Sequence, residues 1–383
     1  MKINKIEPSF TDETKTLCVV LTVSNWDEAP RMRHAVTNQL VRKFNVLYVQ
    51  LFQKKGVKRR QEKINDNLII VQAGFGFPGI GRIFKYLPIL HGAYNKLIAK
   101  QIRRKIKSVT STNSSILINF QYDFPEINAV DIFTRKIYYC NDDFVNQDVN
   151  SSKAEVARKD DLQARVVKGS TEVITVSYPL QEQFAKYGKK THVILSGHNF
   201  DLNISRNFAV SKDEIIKVCY LGFLNSGIAI DWLKYILENN KIYLTVIGPI
   251  EVPGFREFIE QASNAKHIEF LTGNNLQFEM LKHDVLLMPY SSPVANAVTT
   301  VPAKLFQYLA VGKPIVSSSL QNLISLPDGF VYKSESKESF LKNILVSNAA
   351  DNDGARNDRI EYSALHTWDA RGNELFKVLD LND

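Results

Sequence analysis

Cysteine is scarce, and where it occurs it stands alone. Cys18, Cys140 and Cys219 are the three cysteines in 383 residues. Each lies in its own apolar run, so no disulfide scaffold, zinc motif or dithiol motif is encoded, and buried reduced thiols in a cytosolic protein are expected. Long apolar runs are lacking too, since none approaches the ~20 residues a membrane span needs. The run Leu17 to Val23 follows a mixed-charge segment containing Pro8 rather than a basic lead, which predicts no signal peptide. What remains is ordinary for a folded chain: 44% hydrophobic and 23% charged residues. At roughly 100–200 residues per domain, that length predicts two domains.

Acid is the most informative absence. Between Asn67 and Tyr122 there is no carboxylate, yet Arg82, Lys85, Lys96, Lys100, Arg103, Arg104, Lys105 and Lys107 fall there. Residues 1–200 hold 31 Lys and Arg against 18 Asp and Glu, whereas residues 201–383 hold 17 against 22. Opposite charge in the two halves predicts different partners for each.

Short Val, Ile and Leu runs alternate with helix-period segments. Leu17–Val23, Val46–Leu51, Leu68–Val71, Ile116–Phe120, Ile137–Cys140 and Val173–Val176 form one series of expected strands. A second comprises Ile216–Leu221, Tyr243–Ile247, His267–Leu271, Val285–Met288 and Pro314–Ser317. Such alternation predicts an α/β protein with two parallel sheets wrapped by helices, each Rossmann-like. The periodicity breaks from Gly197 to Phe208, so the expected domains are 1–200 and 201–357, with a helix in 358–383 returning to the first.

Gly74, Gly76 and Gly79 satisfy G-x-G-x-x-G, but Pro78 interrupts the motif and no acid follows for a ribose, so a dinucleotide site is rejected. The same stretch, 75–107, interleaves Phe75, Phe77, Ile83, Phe84, Tyr86 and Leu87 with the basic residues. That composition suits an anionic membrane surface, with Lys54, Lys55, Lys58, Arg59, Arg60 and Lys63 extending it. A solvated helix face is the plain alternative, and no nucleic-acid module accompanies the patch.

The sharpest motif runs Asp284-Val-Leu-Leu-Met-Pro-Tyr290, then Val301-Pro-Ala303-Lys304-Leu-Phe-Gln307-Tyr308-Leu-Ala-Val-Gly312-Lys313-Pro314. It reads strand, loop, helix, stop, strand, with Pro302 at the helix start and Gly312 at its end. A helix start binds phosphate through its free N–H groups. Lys304 and Gln307 share one helix face, which suits Lys304 for phosphate and Gln307 for ribose hydroxyls. This element resembles the donor-binding segment of GT-B glycosyltransferases. Tyr220-Leu-Gly222-Phe-Leu-Asn225, Val246-Ile-Gly248-Pro249, Phe270-Leu-Thr-Gly273 and Thr367-Trp368-Asp369-Ala-Arg371 are similar to other segments of that family. The resemblance implies two Rossmann-like domains facing across a cleft, a nucleotide diphosphate sugar as donor, and a donor site drawn from Gly222, Asn225, Gly248, Gly273, Tyr290, Ala303, Lys304 and Gln307. It implies no cofactor and no bound metal; no D-x-D or His/Cys cluster is placed to hold one.

Many of these transferases carry Glu where this chain has Gln307, and Thr299 occupies the place of the earlier glutamate of retaining members. Lys followed three residues later by Gln is similar to the membrane-associated glucuronosyltransferase of xanthan assembly. The chain also resembles transferases of teichuronic acid and other exopolysaccharides. These likenesses imply a bacterial transferase, peripheral on the inner face of the cell membrane, favouring a UDP-sugar and a lipid-linked or polysaccharide acceptor.

In the first half, the strand ending at Cys140 is followed by Asn141-Asp142-Asp143. Adjacent carboxylates repel, which raises one pKa toward a general base for an inverting transfer; a helix cap explains the same residues equally well. Similarity to the xanthan enzyme favours Asp142. Asp123 and His34 are further base candidates, and Arg31 and Arg33 are candidate acceptor contacts, together with Arg82, Lys85, Arg103 and Arg104 on the membrane side. Two other readings stay open: a nucleotide-sugar 2-epimerase of the same fold, and an inactive donor-binding partner of another transferase.

Overall fold

A computed structural model describes residues 9–12, 14–51, 61–74, 88–110, 115–146, 151–208, 213–291, 301–318 and 324–380. The chain divides into an N-terminal unit, 1–194 with 374–383, and a C-terminal unit, 195–373.

The N-terminal unit holds strands β1 (Leu17–Thr22), β2 (Asn45–Leu51), β3 (Gln61–Asn65), β4 (Leu68–Ala73), β5 (Ser115–Asn119), β6 (Phe133–Cys140), β7 (Glu172–Thr175) and β8 (Thr191–Val193). Its helices are α1 (Met32–Leu40), α2 (Pro88–Val109), α3 (Lys153–Gly169) and α4 (Tyr178–Phe184). The sheet order is β3-β4-β2-β1-β5-β6-β7-β8, parallel except where β3 meets β4. β1 and β4 are buried on both faces, which explains their unbroken apolar runs. Val19, Leu21, Leu47, Val49, Ile69 and Val71 join Ile98, Ile102 and Ile106 of α2 in one core. The opposite face of α2 exposes Leu90 (42%) and Leu97 (55%) together with Lys96, Lys100, Arg104 and Lys107. Among the described residues no helix is long and apolar enough to cross a membrane.

The C-terminal unit begins with α5 (Leu202–Asn207) and continues with β9 (Ile216–Leu221), α6 (Ile230–Ile236), β10 (Ile242–Ile247), α7 (Phe255–Gln261), β11 (Ala265–Ile268), α8 (Gly273–Leu281) and β12 (Val285–Met288). Then come α9 (Lys304–Val311), β13 (Ile315–Ser318), β14 (Val331–Ser334), α10 (Lys337–Ala350), α11 (Asp353–Ala364) and α12 (Trp368–Val378). All six strands are parallel, in the order β11-β10-β9-β12-β13-β14. In each unit the first strand has its successors on one side and later strands on the other. Such a switch point, at β1/β5 and at β9/β12, opens a crevice beyond the strands' carboxyl ends where ligands bind.

Three strands were not expected from sequence: β3, β8 and β14. All three lie at sheet edges with half-exposed or exposed residues, so no apolar run marks them. The unit boundaries also differ from 200/201 and 357/358. Gly197 lies against the Thr367–Trp368 backbone, His198 Nε2 donates to Ser363 O at 3.0 Å, and Asp201 N donates to Gln277 Oε1 at 3.0 Å, which ties 195–201 to the C-terminal unit. Arg359 of α11 donates to Gly312 O at 3.0 Å, so 358–364 packs there too. The true return is short: Arg135 donates to Val378 O at 2.6 Å and pairs with Asp380 at 2.8 Å.

Candidate active site

At the β9/β12 edge three loops are laced together. Leu224 N donates to Pro249 O at 2.9 Å, Ala229 N to Pro289 O at 2.8 Å, and Ser291 N to Gly227 O at 2.9 Å. Gly248 permits this closeness: at φ 122°, an added Cβ would stand 2.5 Å from Gly222 O. Asn225 shapes the loop from within, its Oδ1 accepting from Gly227 N at 2.9 Å.

Into this edge α9 delivers Lys304. Its Nζ lies 4.3 Å from the ring centroid of Tyr220 and 5.3 Å from that of Tyr290. Gly222, at φ 127°, leaves it room, since an added Cβ would be 3.0 Å from Nζ. Burial pushes the Lys304 ammonium down to about 7. Gln307 follows one turn later on the same helix, half-buried, and Ala303 precedes α9 without a side-chain cap, so the first-turn N–H groups have no side-chain acceptor at that position. Tyr308 locks the helix to the sheet: its hydroxyl accepts from Leu221 N at 2.9 Å and donates to Leu287 O at 3.1 Å. The expected Gly222, Asn225, Gly248, Tyr290, Ala303, Lys304 and Gln307 thus belong to segments at or leading from one sheet edge. Gly273 opens α8 at φ 54°, with open space around it.

The β1/β5 edge of the N-terminal unit is differently made. Arg33 is 8% exposed; it donates to Ser24 Oγ at 2.9 Å and to Asn141 Oδ1 at 3.3 Å, lies over the Phe120 ring, and leaves Nε without a partner. Asp142 accepts from Asp143 N at 2.9 Å, and burial first, then the charge of Asp143, raises its carboxyl above the usual range. Asp143 is tied into its own turn. Its carboxylate accepts Asn146 N at 3.1 Å and Asn146 Nδ2 at 3.0 and 3.1 Å.

His34 is also fully engaged. Its Nδ1 accepts from Arg31 N and its Nε2 donates to Asn25 O, both at 3.0 Å, and burial lowers its pKa; that leaves no free nitrogen for a base. Arg31 pairs with Glu28 at 3.0 Å. Arg103, expected on a membrane-facing surface, is paired there with Asp131 through two bonds of 2.9 Å, and Arg104 is exposed. Arg82, Lys85 and most of the aromatic residues of 75–107 lie outside the described residues, as do Gly76, Gly79 and Thr299. Ser24, Asn141 and Tyr308 were not singled out from sequence, because their roles come from partners far along the chain.

No protein-family model matches the sequence, and no curated protein does. Solved structures do. A sucrose-phosphate synthase from Thermosynechococcus elongatus superimposes with a TM-score of 0.72 over 96% of this chain and 98% of its own, at 12% identity. A trehalose-6-phosphate structure from E. coli bound with UDP-2-fluoro glucose gives 0.67, at 10% identity over 96% and 99%. An α,α-trehalose-phosphate synthase (UDP-forming) from Burkholderia xenovorans, in complex with glucose-6-phosphate, gives 0.66, at 9% identity over 95% and 100%. The fold is GT-B.

Proposed function

We propose that this GT-B chain is a glycosyltransferase that moves a sugar from a nucleotide diphosphate sugar, a UDP-sugar by preference, to a lipid-linked acceptor of bacterial surface glycan synthesis. The observation that carries the reading is Lys304: an ammonium without a counter-ion among the described residues, at a parallel sheet's switch point, in a helix start that lacks a side-chain cap. A diphosphate supplies the missing charge, and Gln307 stands one turn on for the ribose. Neighbours described as UDP-forming, or as bound with a UDP-sugar, support uridine.

In the proposed reaction the Asp142 carboxylate takes the proton of the acceptor hydroxyl. The hydroxyl oxygen bonds to the sugar's anomeric carbon as the bond to the diphosphate breaks, and Lys304 with the α9 N–H groups receives the developing charge. This displacement inverts the anomeric centre. A trehalose-6-phosphate synthase neighbour is described in terms of transfer with retention, so the product's configuration, read by NMR, decides between Asp142 as base and a retaining route.

The lipid-linked acceptor is supported by α2, whose outer face sets Leu90 and Leu97 beside Lys96, Lys100, Arg104 and Lys107, an arrangement suited to an anionic bilayer at the inner face of the cell membrane. A second reading, a soluble sugar phosphate as acceptor, is favoured by the neighbour holding glucose-6-phosphate. Thermal shift with UDP, GDP, ADP and CMP, repeated on Lys304→Ala, tests the donor site. A shift with one diphosphate that disappears in the variant supports it, and no shift in a folded sample overturns it. Radiolabelled UDP-sugar incubated with bacterial membranes or with glucose-6-phosphate then separates lipid-extractable from water-soluble product.

A further inference from the structure

Lys304 is a cation answered by aromatic faces alone. No described carboxylate pairs with it, and the titratable groups that face it are Cys219 and Tyr220 of β9 and Tyr290 beyond β12, with Tyr308 one turn on in its own helix. Burial raises the pKa of all four, so none supplies a negative charge near neutrality. Of the two rings nearest Nζ, that of Tyr220 is tied by its own hydroxyl, and Tyr290 is fixed through its backbone. The Tyr220 hydroxyl donates to Phe223 O at 2.8 Å, and Tyr290 N donates to Ser318 Oγ at 3.0 Å.

An ammonium over two tyrosine rings is attracted by their quadrupoles, while its partial burial costs it part of its hydration. We propose that Tyr220 and Tyr290 are positioning residues for the donor: they seat the Lys304 ammonium until a diphosphate arrives, and diphosphate binding is coupled to protonation of Lys304. The inference rests on the donor-site reading and adds to it a residue pair and a proton. With the Lys304 pKa at about 7, the free protein near neutrality holds a mixture of ammonium and amine. A bound diphosphate favours the ammonium, so a proton moves from solvent to Nζ. The sign follows: affinity is full below about pH 7 and falls as pH rises toward the higher pKa of the complex.

The test is isothermal titration calorimetry of the full chain with UDP-glucose, and with GDP-glucose and ADP-glucose in parallel, from pH 6 to 8.5 in two buffers of different ionisation enthalpy. The diphosphate of these donors keeps its charge across that range. Kd is expected to rise about tenfold or more between pH 7 and 8.5, with buffer-dependent heat reporting proton uptake at pH 8. Tyr290→Phe should retain both effects. Tyr290→Leu should weaken binding about three- to tenfold and move the loss to lower pH. Lys304→Met should bind weakly at every pH, with no proton uptake. Should Tyr290→Leu fail to fold, the wild-type pH profile and buffer dependence decide alone. Binding that is flat with pH, while Lys304→Met still weakens it, overturns the coupling and leaves the donor site standing. No binding of any of these donors to a cooperatively unfolding wild-type sample overturns both.

Discussion

Both sheets end in a switch-point crevice, but the side chains at the two edges are held differently. In the N-terminal unit His34, Asp143 and Arg31 have their polar atoms or charge taken up within their own loops, and Arg33 shares its guanidinium between Ser24 and Asn141. In the C-terminal unit the backbone is laced just as tightly, yet Lys304 has neither a counter-ion nor a hydrogen-bond partner among the described residues. The difference teaches that a motif's residue types do not by themselves mark a ligand site. What marks one is a charge for which the folded chain supplies no partner, because burying it costs free energy that a ligand returns.

The comparison can be broken most forcefully at Asp142. Asp142→Asn should lower transfer by about 10²–10⁴-fold while donor affinity holds, and full activity in that variant would remove the base from the N-terminal edge. Next in size is Lys304→Met, with donor affinity falling about 10–100-fold for the loss of a charged hydrogen bond. The same change should stabilise the nucleotide-free protein. The Lys304 pKa is about 7 in the fold, below its unfolded value, so the wild type bears the cost of a buried charge below pH 7 and sheds it as pH rises through 7 toward 10. Melting curves should therefore show the largest gain near pH 6 and a narrowing gap above it.

Gly248→Ala forces a Cβ against Gly222 O and should lose roughly 1–3 kcal/mol of stability in denaturant titration, with weaker donor binding. Asp143→Ala should cost about 1 kcal/mol for its lost bonds to Asn146, with transfer per folded molecule unchanged; a collapse of activity would return Asp143 to the chemistry. The smallest effect is expected on the helix surface. Arg104→Ala should weaken sedimentation with anionic vesicles about fivefold, from roughly 1 kcal/mol per basic residue, and Arg103→Ala, already paired with Asp131, should do less.

The central strands were legible because burial on both faces demands unbroken apolar sequence, as in Leu17–Thr22 and Val285–Met288. Edge strands such as Gln61–Asn65 carry no such demand and left no mark. Lys304 was legible from the helix it starts, since Pro302, Gln307 and Gly312 are all local to it. The seat around Lys304 was not, because Tyr220 comes from 84 positions upstream. The partner of Arg103 was hidden for the same reason: the acid-free block gave no sign of Asp131, 28 residues on in sequence and 2.9 Å away in space. His34, a base candidate at a helix start, turns out to cap that start with Nδ1 while its Nε2 donates to the Asn25 carbonyl.

The short return of the tail sets an order on synthesis. The C-terminal unit is one continuous stretch, 195–373, whereas the N-terminal unit is completed only by 374–383, where Phe376 lies under Lys43 and Arg135 holds Val378 and Asp380. On the ribosome the second unit has all its residues before the first does. The earlier-made sheet must wait, with its docking place for Phe376 open, until the residues from 374 onward have been made.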